Sequence, residues 1–173
     1  LGENVTYSYY DGDVDYDPNY NGSDVNTATG GDPRAVNDYG SDNETLISSA
    51  FDLWDEIVEF DFEEVEETGT TVGEMRVAYT TAGVQYGRAA FAYGPYGSVA
   101  SGDVWFEIAD TDVSVASDFD TAGIDEAGGN YYAALHEIGH AIGLAHPFDS
   151  SASGGTGATL ASTYDTQRYS VMS

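Results

Sequence analysis

The three histidines of this 173-residue chain all lie in one eleven-residue window, His136 to His146, with the sequence HEIGHAIGLAH. On a helix, His136 and His140 are four residues apart, so their imidazole rings leave from the same face. That spacing suits two ligands of a tetrahedral zinc ion. The window therefore predicts a helix that carries a metal site.

The rest of the window supplies a third ligand and a base. Gly143 permits a sharp turn with positive φ, which lets His146 swing back toward the other two histidines. The fourth position on the zinc then stays open for water, as in catalytic rather than structural sites, and the chain has no cysteine to fill it. Glu137 directly follows the first ligand and can reach a water on the metal, so it is the candidate general base.

The composition excludes several classes of partner. The chain holds 31 acidic and 4 basic residues, a net charge of −27. Nucleic acids and anionic membranes both require a basic face, so neither is an expected partner. The acidic surface fits either a solvated, aggregation-resistant protein or one from a salty environment. The hydrophobic fraction of 41% still allows a packed core.

Hydrophobic periodicity predicts two helices and several strands. A capping box at Ser41–Glu44 precedes an apolar run at helical spacing, which predicts a helix over about residues 42 to 59. Asn130 is expected to cap a second helix that carries the histidines and ends at Gly143. Runs of β-branched and aromatic residues predict strands at 5–10, 60–65, 74–80, 88–93 and 102–108. This order predicts an α+β or α/β layout with one mixed sheet.

The segment from Asp11 to Gly40 is expected to be a loop, because Asp, Asn and Gly crowd it. Aspartates alternate from Asp11 to Asp17 as they do in calcium-binding loops. An EF-hand loop needs a glutamate at its twelfth position, and Gly22 stands there. The pattern therefore favours a solvated loop over a calcium site.

The window resembles the signature of the metzincin zinc metalloproteases, and with Pro147 it is similar to the serralysin-type branch. The segment DTQRYSVMS, residues 165–173, resembles the Met-turn of that family, which implies that Met172 lies beneath the zinc. The alternative for Met172 is an ordinary buried methionine. The first helix and the FDFEEVEE and GDVWFE strands also resemble serralysin catalytic domains, so the resemblance covers nearly the whole chain.

This resemblance implies a zincin-like α+β fold with a mixed, mostly parallel five-stranded sheet and two main helices. It makes residues 1–173 one catalytic domain, with an upper lobe of about 1–143 and a partial, irregular lower lobe of about 144–173. It also implies that substrate lies extended along an edge strand, for which a plain sheet strand is the alternative. The matching residues are Arg88, Ala89, Ala90, Phe91, Ala92 and Tyr93.

Two departures from the serralysin pattern concern the C-terminus. Those enzymes usually have a tyrosine two residues after the Met-turn methionine, followed by a closing helix and glycine-rich calcium-binding repeats. The chain ends at Ser173, before any of these. We expect a nicked or processed chain, with Ca2+ mainly in the C-terminal region and with that fragment of the precursor as a partner.

The implied function is that of a secreted zinc-dependent endopeptidase acting on proteins or peptides. One catalytic Zn2+ activates a water, and Glu137 is the general base. A non-catalytic zinc-binding secreted module and a peptidase with a narrow peptide target are the alternatives. The intact Glu137 argues against the first, because a module without catalysis has no chemical need for that carboxylate.

Overall fold

The computed structural model describes residues 4–10, 40–69, 71–80, 90–97, 100–107, 129–150 and 159–173. The elements in chain order are β1 (Val5–Tyr9), α1 (Gly40–Asp55), β2 (Phe62–Glu64), β3 (Met75–Thr80), β4 (Ala90–Ala92), β5 (Val104–Glu107) and α2 (Gly129–Ala141). The predicted loop at 11–39 lies outside the described residues, as do Arg88 and Ala89. Within the described part, neither helix has the length and apolar character that crossing a bilayer requires.

The five strands form one mixed sheet in the order β2-β1-β3-β5-β4. β1 pairs in parallel with β2 and β3, and β3 pairs in parallel with β5. β4 runs antiparallel to β5 and forms one edge of the described sheet. The predicted mostly parallel, five-stranded sheet with two helices is therefore confirmed.

A hydrophobic core lies between one face of the sheet and the two helices. Phe51 of α1 stacks on Tyr7 of β1 with ring centroids 4.0 Å apart. Trp54 Nε1 donates a hydrogen bond of 3.1 Å to Leu135 O, which joins α1 to α2. The other buried members of this core are Leu46, Ile47, Ala50, Met75, Val77, Ala90, Val104, Phe106, Ala134, Ile138 and Ala141. This apolar layer fixes the position of α2 over the sheet.

The predicted bounds of α1 are wrong at both ends. The helix begins at Gly40, so Ser41 lies in its first turn rather than at the N-cap. It ends at Asp55, not near residue 59, and Ile57 is 68% exposed. The Asp55 carboxylate accepts a hydrogen bond of 2.7 Å from Phe62 N, which turns the chain into β2 and ends the helix early. α2 likewise begins at Gly129, one residue before the predicted cap at Asn130.

A buried ion pair connects β3 to the segment after β2. Arg76 Nε and Nη2 donate to the two carboxylate oxygens of Glu67, both at 2.7 Å. Ser8 Oγ of β1 donates to the same carboxylate at 2.8 Å and accepts from Gly73 N at 2.9 Å. Glu67 is only 2% exposed and Arg76 only 6%. These hydrogen bonds offset the cost of removing both charges from water and fix the chain between β2 and β3.

We expect Glu67→Gln to destabilise the fold by about 3–5 kcal/mol, because the Arg76 charge would stay buried without its counter-ion. The free energy of unfolding in urea measures this. Glu66→Gln is the matched control, since Glu66 is exposed, and it should change stability by less than about 0.5 kcal/mol. Equal effects of the two changes would contradict a structural role for the ion pair.

Candidate metal centre

Helix α2 has one apolar face and another face that carries two of the candidate metal ligands. Ala134, Ile138 and Ala141 are buried in the core, whereas His136 and His140 are partly buried and line a cleft of about 440 Å³. The apolar residues hold the helix against the sheet, and the histidines on its other side therefore point into the cleft.

The end of α2 directs the third histidine back to the first two. Gly143 adopts a φ of 104°, as its predicted turn requires. Gly143 N donates to His140 O at 2.9 Å, and Leu144 N donates to Gly139 O at 2.8 Å. These two bonds form a Schellman motif, which needs a residue with positive φ at this position. The reversal brings His146 over the face that His136 and His140 share.

The three imidazoles converge through the same ring atom. His146 Nε2 lies 3.2 Å from His136 Nε2 and 3.2 Å from His140 Nε2. Zinc–nitrogen bonds of about 2.0–2.1 Å in a tetrahedral site place neighbouring ligand nitrogens about 3.3–3.4 Å apart. The three residues therefore fit a zinc ion, and among the described residues they form the group with this potential.

Two backbone carbonyls fix the tautomers of the helical histidines. His136 Nδ1 lies 2.7 Å from Val171 O, and His140 Nδ1 lies 2.8 Å from Leu144 O. A carbonyl oxygen can only accept a hydrogen bond, so each Nδ1 carries the hydrogen and each Nε2 presents its lone pair to the centre. The Phe148 ring stacks on His146 with centroids 4.8 Å apart and planes at 11°, which restrains the third ring.

The environment favours neutral imidazoles. Burial lowers the pKa of His140 and of His146 below the ordinary 6.5, and the neighbouring His136 lowers both further. The hydrogen bond to Leu144 O acts against this shift at His140. A metal ion binds the neutral form, so the fold favours the protonation state that coordination requires.

The predicted base and part of the predicted edge strand share the cleft with these ligands. Glu137 is partly buried and lines the cleft beside His136 and His140. Ala90, Phe91 and Ala92 of β4 form part of its wall, together with Gly94, Tyr96 and Leu144. Tyr93 follows β4 and pairs with Asp103 and Gly102 next to β5.

Met172 is 5% exposed and packs under α2. A Cβ atom added to Gly139 would lie 2.6 Å from Met172 Sδ and 3.2 Å from Trp54 Cζ2. Gly139 directly precedes His140, and only a glycine at this position allows Met172 to come so close to the helix. The segment with Met172 also supplies the Val171 carbonyl that holds His136.

A mixed sheet, two helices and three convergent histidines define a zincin-like metal-binding domain. The sequence profile of the matrixin family (Peptidase M10) matches residues 33–169. The chain therefore belongs to the matrixin family of peptidases. The matched range contains the three histidines and Glu137, and it ends before Met172.

None of the curated protein sequences shows significant similarity to the chain. Among solved structures, that of myroilysin is similar, with a TM-score of 0.40 and 17% sequence identity. The similarity covers 84% of this chain and 50% of that one, so this chain spans about half the length of that protein.

The sequence predicted that the three histidines would come together, but not which groups orient their rings. The acceptors for His136 and His140 are the backbone carbonyls of Val171 and Leu144, and every residue has such a group. Tyr132 contacts the segment that supplies the first of these carbonyls. Its position four residues before His136 was the one available signal, and that spacing also fits an ordinary core tyrosine.

The metal-free protein should lose stability as the pH falls below 6.5. The folded state lowers the pKa of His140 and His146, so the unfolded chain takes up protons first. The contribution of the two neutral histidines to the free energy of unfolding is complete above pH 6.5. It is lost as the pH falls through the two folded-state pKa values. Urea unfolding in a chelator between pH 7.5 and pH 5 measures it. The same slope in a His140→Gln, His146→Gln double variant would refute this origin.

Gly143→Ala should weaken zinc binding as well as stability. An L residue at positive φ costs about 1–2 kcal/mol, and relief of that strain would move His146. Gly69→Ala is the matched control, because Gly69 also has a positive φ of 61° and open space around it. Both variants should unfold at lower urea. Only Gly143→Ala should raise the zinc dissociation constant, and equal zinc affinities would contradict the prediction.

Proposed function

We propose that residues 1–173 are the catalytic domain of a zinc-dependent endopeptidase, which hydrolyses internal peptide bonds of proteins. The convergence of three Nε2 atoms beside Glu137 in an open cleft carries this proposal. Membership of a peptidase family supports the reaction class. Three protein ligands leave a coordination position for water or substrate, as in catalytic zinc sites.

Glu137 is the general base and acid of the proposed reaction. Zinc in such a site supplies Lewis-acid chemistry, which makes a water more acidic and polarises a carbonyl. The Glu137 carboxylate accepts a proton from the attacking water and later delivers it to the leaving nitrogen. Its place in the cleft beside His136 and His140 suits that transfer.

Substrate binding along β4 is the second part of the proposal. Tyr93 N donates to Asp103 O at 2.9 Å, and Gly102 N donates to Tyr93 O at 2.8 Å, so the backbone of Tyr93 faces β5. Backbone groups alternate in direction along an antiparallel strand. Those of Ala90 and Ala92 therefore point away from β5. An extended peptide beside them would gain main-chain hydrogen bonds that do not depend on its sequence.

The serralysin subtype, secretion and calcium binding are further parts of the proposal. The sequence HEIGHAIGLAHP and the segment with Met172 support a serralysin-type enzyme. That subtype carries with it secretion and Ca2+ sites in a further C-terminal region of the precursor. The narrow-target alternative differs only in the side chains that line the cleft, such as Tyr96 and Leu144.

Glu137→Ala should abolish hydrolysis while zinc stays bound. We expect kcat on a quenched peptide to fall by about 10²- to 10⁴-fold, because proton transfer is lost and the three histidines remain. Zinc content after dialysis checks the second half of this prediction. Glu66→Ala, in an exposed position, is the control and should keep full activity.

Two outcomes would overturn the proposal. More than a few per cent of wild-type hydrolysis in Glu137→Ala would refute Glu137 as the base. Zinc-loaded wild-type protein that cleaves neither casein nor the peptide would instead favour the non-catalytic zinc-binding module. Loss of wild-type cleavage in a chelator, and its return with added zinc, are the results that we expect.

A further inference from the structure

Tyr132 lies one turn before His136 on α2, and its hydroxyl reaches the segment from Ser170 to Ser173. The hydroxyl oxygen is within hydrogen-bonding distance of three backbone oxygens of this segment. These are Val171 O, Ser173 O at 2.8 Å and Ser170 O at 3.4 Å. A phenol has one proton, so it donates to one of them at a time, and Val171 O is the nearest.

Val171 O is also the acceptor for His136 Nδ1, at 2.7 Å. A carbonyl oxygen has two lone pairs and can accept both hydrogen bonds together. The rings of Tyr132 and His136 lie side by side, with centroids 6.1 Å apart and planes tilted by 36°. One carbonyl therefore joins a non-ligand side chain of α2 to a metal ligand on the next turn of the same helix.

We propose that Tyr132 is a positioning residue of the metal centre, which holds the Val171 carbonyl where it orients His136 for coordination. Without the hydroxyl, His136 would have to hold that carbonyl alone. The ring of His136 could then follow the movements of the segment. Groups that orient a metal-bound histidine typically change metal affinity by about 10- to 100-fold when they are lost.

Two other observations, one on Tyr132 and one on Met172, agree with this role. Burial raises the pKa of Tyr132 above its ordinary value of 10.0, so the hydroxyl keeps its proton at neutral pH and remains a donor. Met172 follows Val171 in the chain and packs against Gly139, and Met172 N donates a hydrogen bond of 3.1 Å to Ser170 Oγ. The Val171 carbonyl thus lies in a segment that the Tyr132 hydroxyl and the buried Met172 side chain both join to α2.

Tyr132→Phe tests the inference, and Tyr131→Phe is its matched control. Both variants lose one phenolic hydroxyl from the same helix, and the Tyr131 hydroxyl contacts Ser49 O on α1 at 3.4 Å instead. We expect Tyr132→Phe to raise the zinc dissociation constant about tenfold, measured by competition with a chromogenic chelator. Tyr131→Phe should leave it within twofold. Both metal-free variants should unfold at similar urea concentrations.

The visible absorption spectrum of the cobalt(II)-substituted protein gives a second measurement. A displaced His136 should change the intensity and position of the ligand-field bands in Tyr132→Phe and not in Tyr131→Phe. Unchanged zinc affinity and an unchanged spectrum in Tyr132→Phe would overturn the inference, even if the variant were less stable.

The inference rests on the zinc site of the proposed function but not on peptide hydrolysis. A wild-type chain that binds no zinc would therefore overturn both proposals. Tight wild-type zinc binding without hydrolysis would overturn only the proposed reaction. Tight binding that Tyr132→Phe does not weaken would overturn only the positioning role.

Discussion

Three nitrogen lone pairs that face one another repel, unless a cation draws them together. The centre described above commits the fold to such an arrangement, because hydrogen bonds to backbone carbonyls fix two of the three rings. One carbonyl comes from the turn that follows α2, and the other comes from the segment around Met172. The ligand geometry therefore depends on two separate backbone segments, one that continues α2 and one that packs against it.

The two glycines of the histidine window, Gly139 and Gly143, have different structural roles. Gly143 reverses the chain with a φ of 104°, so that His146 faces its two partners. Gly139 leaves the space that Met172 Sδ occupies. The absence of a Cβ atom allows a positive φ at Gly143 and close packing at Gly139. Both effects act within one helical turn of a ligand.

Much of the fold could be predicted because its signals are periodic. The apolar spacing of α1 and α2 and the β-branched runs of the strands predicted the elements correctly. The spacing of the histidines predicted that their rings would meet, and the three Nε2 atoms do converge. The end of α1 was predicted wrongly because one hydrogen bond outside the helix determines where the helix stops. Asp55 ends α1 by binding Phe62 N, seven residues further on. The carbonyl of Val171 could not be predicted for a different reason, since its role depends on position and not on residue type.

The hydrogen bond between His136 and Val171 joins residues that are 35 apart in the chain. A chain without residue 171 would keep all three histidines and lose the backbone group that orients the first of them. The histidine window alone therefore does not make the centre. Its geometry is shared between the window and a backbone carbonyl that lies far outside it.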